Sequence, residues 1–159
     1  MKKQNKLDKK RRREGRTNYT RRLILLKGRS LRFIVRKSSR YLSMQIVESE
    51  NAVDKVVYGV STKDLLKYEW PKEKVGSLKS LGAAYLGGLL LGKKMKKMES
   101  RVILDSGLIP STKGSRVYAA VKGLSDSGID IKFDEKMIPE TERIEKESFF
   151  NDVKGGIMK

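Results

Sequence analysis

Residues 31–60 read LRFIVRKSSRYLSMQIVESENAVDKVVYGV, and the spacing of their apolar residues decides the fold class. Leu31, Phe33 and Val35 alternate with Arg32, Ile34 and Arg36, the period of two that marks a strand with one buried face. The two arginines fall together on the opposite face. Lys37-Ser38-Ser39-Arg40 is a polar turn, residues 41–47 form a second strand rich in β-capable side chains, and residues 48–51 make the next turn. Val53, Val56, Val57, Tyr58 and Val60 then supply a third strand. Three consecutive strands joined by short turns predict an antiparallel meander.

Downstream the period changes. Ser61 and Asp64 resemble a capping pair for a short helix through Lys67, and Pro71 breaks the chain. Residues 76–98 carry Leu78, Leu81, Tyr85, Leu89 and Leu90 at helical spacing, with the basic end Lys93-Lys94-Met95-Lys96-Lys97 suited to the helix dipole. Residues 101–104 read as a short strand. Ser111-Thr112-Lys113-Gly114 opens a further helix whose inward residues are Val117, Ala120, Val121 and Leu124, closed by Gly128. Residues 129–133 form a last strand. From 134 to 159 the chain turns acidic, with Glu140, Glu142, Glu145 and Glu147, and reads as a C-terminal arm.

Upstream of the meander, residues 20–27 extend a short helix with Leu23, Ile24 and Leu26 on its apolar side, ended by Gly28. Residues 1–22 are nearly all polar and form an arm that cannot offset its own ordering entropy, so it is expected to stay disordered until a partner arrives. The globular domain then spans residues 23–133.

Charge says what the partner is. The 159 residues carry a net +18, and residues 1–40 alone hold 17 basic side chains against Asp8 and Glu14, which leaves +3 for the remainder. Self-repulsion on that scale is tolerable beside a polyanion. Lys9, Lys10, Arg11, Arg12, Arg13, Arg16, Arg21, Arg22, Arg29, Arg32, Arg36, Lys37 and Arg40 form one band from arm to first turn, fitted to neutralise phosphates and release counterions. Arginine adds bidentate phosphate contact and stacking. Tyr19 and Tyr41 interleave the band and either stack on unpaired bases or pack on the domain.

The chain has no cysteine and no histidine, which removes disulfides, thiol nucleophiles, zinc fingers and His-based acid–base chemistry. No cofactor or metal is expected. With no leader pattern and no apolar stretch of about 20 residues, the chain reads as cytoplasmic, without a membrane partner. Residues 87–94, GGLLLGKK, match a phosphate loop up to its lysine, but Lys94 stands where Ser or Thr should hold magnesium and a helix precedes instead of a strand. The plainer reading is one helix surface of Gly82, Ala83, Ala84, Gly87 and Gly88, pressed on the sheet. A membrane-surface helix over residues 78–91 gives way to a core helix, because the strands need something to pack on. Asp126, Asp130 and the late glutamates read as solvated charge.

Five segments in order resemble a known family: Arg11-Arg12-Arg13-Glu14-Gly15-Arg16-Thr17-Asn18-Tyr19 with Arg22-Leu23; Arg36-Lys37-Ser38-Ser39-Arg40; Ala84-Tyr85-Leu86-Gly87-Gly88-Leu89-Leu90; Ile103-Leu104-Asp105-Ser106-Gly107-Leu108; and Thr112-Lys113-Gly114-Ser115-Arg116-Val117. Over residues 9–133 the chain resembles the universal large-subunit ribosomal protein eighteen family in its archaeal and eukaryotic form, which is similar to eukaryotic large-subunit protein five. The resemblance implies an α/β fold with a mixed sheet, like the ribonuclease-H-like translation proteins but without nuclease carboxylates. It implies a structural protein that binds 5S rRNA and joins it to the large rRNA and to neighbouring proteins of the central protuberance. Carried onto this chain, it adds Thr17, Ser38, Ser39, Thr112, Lys113, Ser115 and Arg116 to the RNA contacts. The tail after Phe133 is shorter than the family's. A nuclease on the same fold would need clustered metal-binding carboxylates, and residues 31–60 offer only Asp54, Glu48 and Glu50. A helix-turn-helix DNA binder is opposed by the leading meander.

Overall fold

A computed structural model describes residues 7–95 and 101–158. The alternating stretch forms β1 (Leu31–Lys37), β2 (Leu42–Glu50) and β3 (Val53–Ser61), each antiparallel to the next. Only Asn51 and Ala52 join β2 to β3, with φ of 49° and 65°. Two consecutive left-handed residues give a tight hairpin whose twist matches its strands. β4 (Val102–Asp105) lies parallel to β1, so the sheet is mixed, in the order β3-β2-β1-β4. A parallel neighbour needs a crossover, and α3 (Leu81–Lys94) provides it. Beyond β4, the strand expected over residues 129–133 is reduced to one parallel bridge, Val102 to Ile131.

Leu31, Phe33 and Val35 of β1 and Met44 and Ile46 of β2 are buried on one sheet face under α3 and α4 (Arg116–Asp126). Every residue of α3 from Gly82 to Gly92 is buried. The helix expected over 76–98 therefore begins later, because 3₁₀ turns occupy Thr62–Lys67 and Lys72–Ser77 and the Ser80 hydroxyl caps α3 by accepting from the Ala83 N–H at 3.2 Å. Its expected end, residues 96–98, lies outside the described residues.

The small residues of α3 do not share one surface. Gly87 faces Met44 and Thr62, Gly88 faces the α4 backbone, and Gly82 faces the Ile144 carbonyl and Phe150. The phosphate-loop-like stretch is thus interior helix, with its N–H groups spent on helical bonds.

The C-terminal stretch departs from the expected arm. Ile144, at the end of α5 (Thr141–Ile144), and Phe150, Val153 and Ile157 of α6 (Phe150–Met158) are buried in the main core. Phe149 meets Trp70 edge-on at 4.8 Å between ring centres. The charged residues that dominate this stretch face outward while an apolar stripe at positions 150, 153 and 157 packs on α3. Ile144→Val is accordingly expected to lower stability by about 1 kcal/mol in denaturant unfolding, the usual cost of one buried methylene. A free arm would show no change.

At the other end stand α1 (Lys10–Arg13) and α2 (Tyr19–Lys27), so the arm is helical over residues 10–13 and from Tyr19 on, and its residues 1–6 lie outside the described residues. Asn18 caps α2, and Gly28 follows its last turn. No residue of α2 is fully buried, and Leu23 and Ile24 stand 54% and 66% exposed. Among the described residues no helix is long and apolar enough to cross a membrane.

Candidate nucleic-acid interface

The alternation that buries Leu31, Phe33 and Val35 sends Arg32 and Arg36 to the other sheet face, where α2 is tied down by arginine. Arg22 of α2 grips Asp54, at the start of β3, through both guanidinium nitrogens at 2.9 and 3.0 Å, and donates to the Ala52 carbonyl at 3.3 Å. Arg21 donates to the Ser106 hydroxyl at 3.0 Å and the Gly107 carbonyl at 3.2 Å, in the loop after β4. Between these anchors lies Arg32, donating to Asp54 at 2.6 Å and to Asp105 at 2.9 Å. Asp105 in turn accepts from the Gly107 N–H at 2.9 Å, and its backbone carbonyl accepts from Arg36 at 3.1 Å. Gly107 is required here: its φ is +59°, and a Cβ would sit 2.9 Å from the Arg36 guanidinium.

Arg32 is 1% exposed and therefore cannot touch RNA, against the sequence expectation. Burying a guanidinium is costly unless paired, and two carboxylates pair this one. Burial would raise the Asp54 carboxyl, but hydrogen bonds from Arg22 and Ser49 and the charges of Arg32 and Arg22 bring it below its ordinary value. The hydrogen bond to Asp54 raises Arg22 correspondingly.

Eleven of the other expected contacts line two adjoining clefts. Arg11, Arg16, Thr17, Arg21, Arg22, Arg36 and Lys37 line the first, of about 520 Å³, together with the apolar Leu25, Leu108, Ile109 and Pro110. Lys37, Thr112, Lys113, Ser115 and Arg116 line the second, together with Arg143. Lys37, Ile109 and Pro110 line both, so the two clefts lie side by side between the arm and the start of α4. There Gly114, at φ +69°, donates its N–H to the Met137 carbonyl at 2.9 Å and fixes the loop before the helix. A helix N-terminus flanked by Lys113 and Arg116 suits a phosphate.

Lys9, Arg12 and Tyr19 gather apart from both clefts, with the Lys9 ammonium 4.9 Å from the Tyr19 ring centre. Arg11 donates to the Thr17 hydroxyl at 2.9 Å, which folds the arm back on itself. In the 37–40 turn, Ser38 donates its hydroxyl to the Tyr41 carbonyl at 2.8 Å and the Ser39 carbonyl accepts from Lys79 at 3.1 Å. Arg40 is exposed at that turn, and Lys10, Arg13 and Arg29 are exposed outside both clefts. Tyr41 packs partly against the core, which favours the packing reading for that ring.

Sequence reasoning missed Arg143, which sits in the stretch read as an acidic arm, and the anchoring work of Ser106 and Gly107. Those two lie in a segment that carried the family resemblance, the one signal that could have found them. Among the described residues, no group of three or more acidic side chains is placed to hold a metal.

Comparison with known proteins gives a consistent answer. The family model for ribosomal large subunit proteins 60S L5 and 50S L18 matches residues 3–100 and 95–134. The large ribosomal subunit protein uL18 of Korarchaeum cryptofilum is 45% identical over 139 residues, 87% of this chain and 69% of that protein. Its counterpart in Methanococcoides burtonii is 42% identical over 139 residues, covering 87% of this chain and 78% of that one. That of Methanoregula boonei is 37% identical over 153 residues, 94% of this chain and 86% of the relative.

Proposed function

Because the chain belongs to the family of ribosomal large subunit proteins 60S L5 and 50S L18, and so is a structural constituent of the large subunit and not an enzyme, we propose that it holds 5S rRNA. In this reading it fastens 5S rRNA to the large rRNA and to neighbouring proteins in the central protuberance. The observation that carries it is the pair of adjoining basic clefts, which bring the arm, Lys37 and the loop before α4 together and share Lys37, Ile109 and Pro110.

Chemistry assigns the parts. Residues 1–22 act as the RNA-binding arm, in which Arg11, Arg12, Arg13 and Arg16 meet phosphates and release counterions. Lys113 and Arg116 hold a second phosphate position at the start of α4. The apolar lining residues Leu25, Leu108, Ile109 and Pro110 offer contact to the sugar or base edge of a nucleotide whose backbone meets the basic side chains. Shape is thereby read along with charge.

The test is binding of the full chain to 5S rRNA and to a transfer RNA, at about 0.15 M monovalent salt. The reading requires a preference for 5S rRNA of at least tenfold. Equal affinities would leave only non-specific attraction and overturn it.

A further inference from the structure

We propose that Asp54 is a positioning residue for RNA binding: its carboxylate holds α2, and with it the arm, so that Arg11, Arg16 and Arg21 line the first cleft. The inference rests on the RNA-binding reading above and explains a carboxylate in a surface selected for a polyanion.

Three observations carry it. First, α2 has only nine residues and buries none of them fully, so neither its length nor its packing fixes it. Second, its polar anchors close a circuit: Arg22 to Asp54, Asp54 to the buried Arg32, Arg32 to Asp105, Asp105 to Gly107, and Gly107 back to Arg21 on the same helix. Third, Asp54 is the junction, accepting from Arg22 through both carboxylate oxygens and from Arg32 and Ser49 at 2.6 Å each. A lone surface ion pair stabilises little, but this one is bidentate and shares its acceptor with a guanidinium that is itself 1% exposed. The fixed sheet thus dictates where the helix lies.

The consequence has an unusual sign. If Asp54 were an incidental acid, neutralising it would remove repulsion and tighten RNA binding about twofold, the Coulomb effect of one charge at roughly 8 Å in water. As a positioning residue, its loss releases the arm and weakens binding.

The experiment compares the full chain with Asp54→Asn and Asp54→Glu, measuring affinity for 5S rRNA and, on the free protein, hydrogen exchange of the α2 amides. Asp54→Asn is expected to lower affinity about tenfold and to remove α2 protection while that of β1 and α3 persists. Asp54→Glu, which keeps the carboxylate, is expected to restore most of both. Should Asp54→Asn fail to fold, Arg22→Gln opens the same circuit from the helix side and must remove α2 protection alike. Unchanged α2 protection in either variant, or binding by Asp54→Asn as tight as the parent's, overturns the inference. Because exchange is measured without RNA, it judges the circuit separately; a parent chain that shows no 5S preference would instead sink the functional reading.

Discussion

Gly123→Ala is expected to destabilise the fold by about 3 kcal/mol or more, near the upper end of overpacking costs. A Cβ at that position would lie 2.0 Å from the Tyr85 carbonyl oxygen, 2.9 Å from its carbon and 3.0 Å from the Leu89 nitrogen. All three are backbone atoms of α3, and no rotamer change can move them aside. Gly88 makes the reciprocal approach, its Cβ position falling 2.1 Å from the Ala120 carbonyl oxygen of α4. The two helices touch through main chain, so one methyl group must push them apart along the whole seam. For a chain of this size the loss should lower Tm by roughly 10 °C. Gly155→Ala is the control: nothing lies within 4 Å of its Cβ position on the exposed side of α6. That change should raise stability by about 0.5–1 kcal/mol through helix propensity. Melting of Gly123→Ala within two degrees of the parent would refute the seam.

The largest effect on binding is expected from replacing Arg11, Arg12 and Arg13 together by alanine. All three are exposed, and α1 buries nothing, so stability should be unchanged. Their surface partners, Thr17 for Arg11 and Asp8 for Arg12, hold them weakly. Each phosphate contact contributes about 0.7–0.9 to the slope of log affinity against log salt. Losing three should reduce that slope by roughly 2–3 and lower affinity by one to two orders of magnitude near physiological ionic strength. Affinity measured at several salt concentrations checks this. A parallel shift with unchanged slope would mean the three arginines act through the arm's shape and not through phosphates.

The meander, α4 and its Gly128 terminus were legible because alternation and helical spacing are local signals. What escaped was set at long range. Arg32 alternates like any exposed strand residue, and only the pairing of β1 with β4 brings Asp105 against it, across 73 residues of sequence. The stripe of Phe150, Val153 and Ile157 was present, but the surrounding glutamates outweighed it and its receiving surface on α3 is assembled only in the fold. In the candidate site, composition located the basic band along the chain. It could not show that parallel pairing of β4 beside β1 brings residues 105–110 against the arm, where they line a cleft with its arginines. Nor could it show that an acidic side chain organises the arginines.

The shallow seating of α2 makes dissolved ions act on this protein at two levels. Rising ionic strength competes with every guanidinium on a phosphate, and it also loosens the guanidinium–carboxylate grips that keep the helix on the sheet. A titration with salt therefore overcounts phosphates, since part of its steepness records the protein losing its own shape for the task.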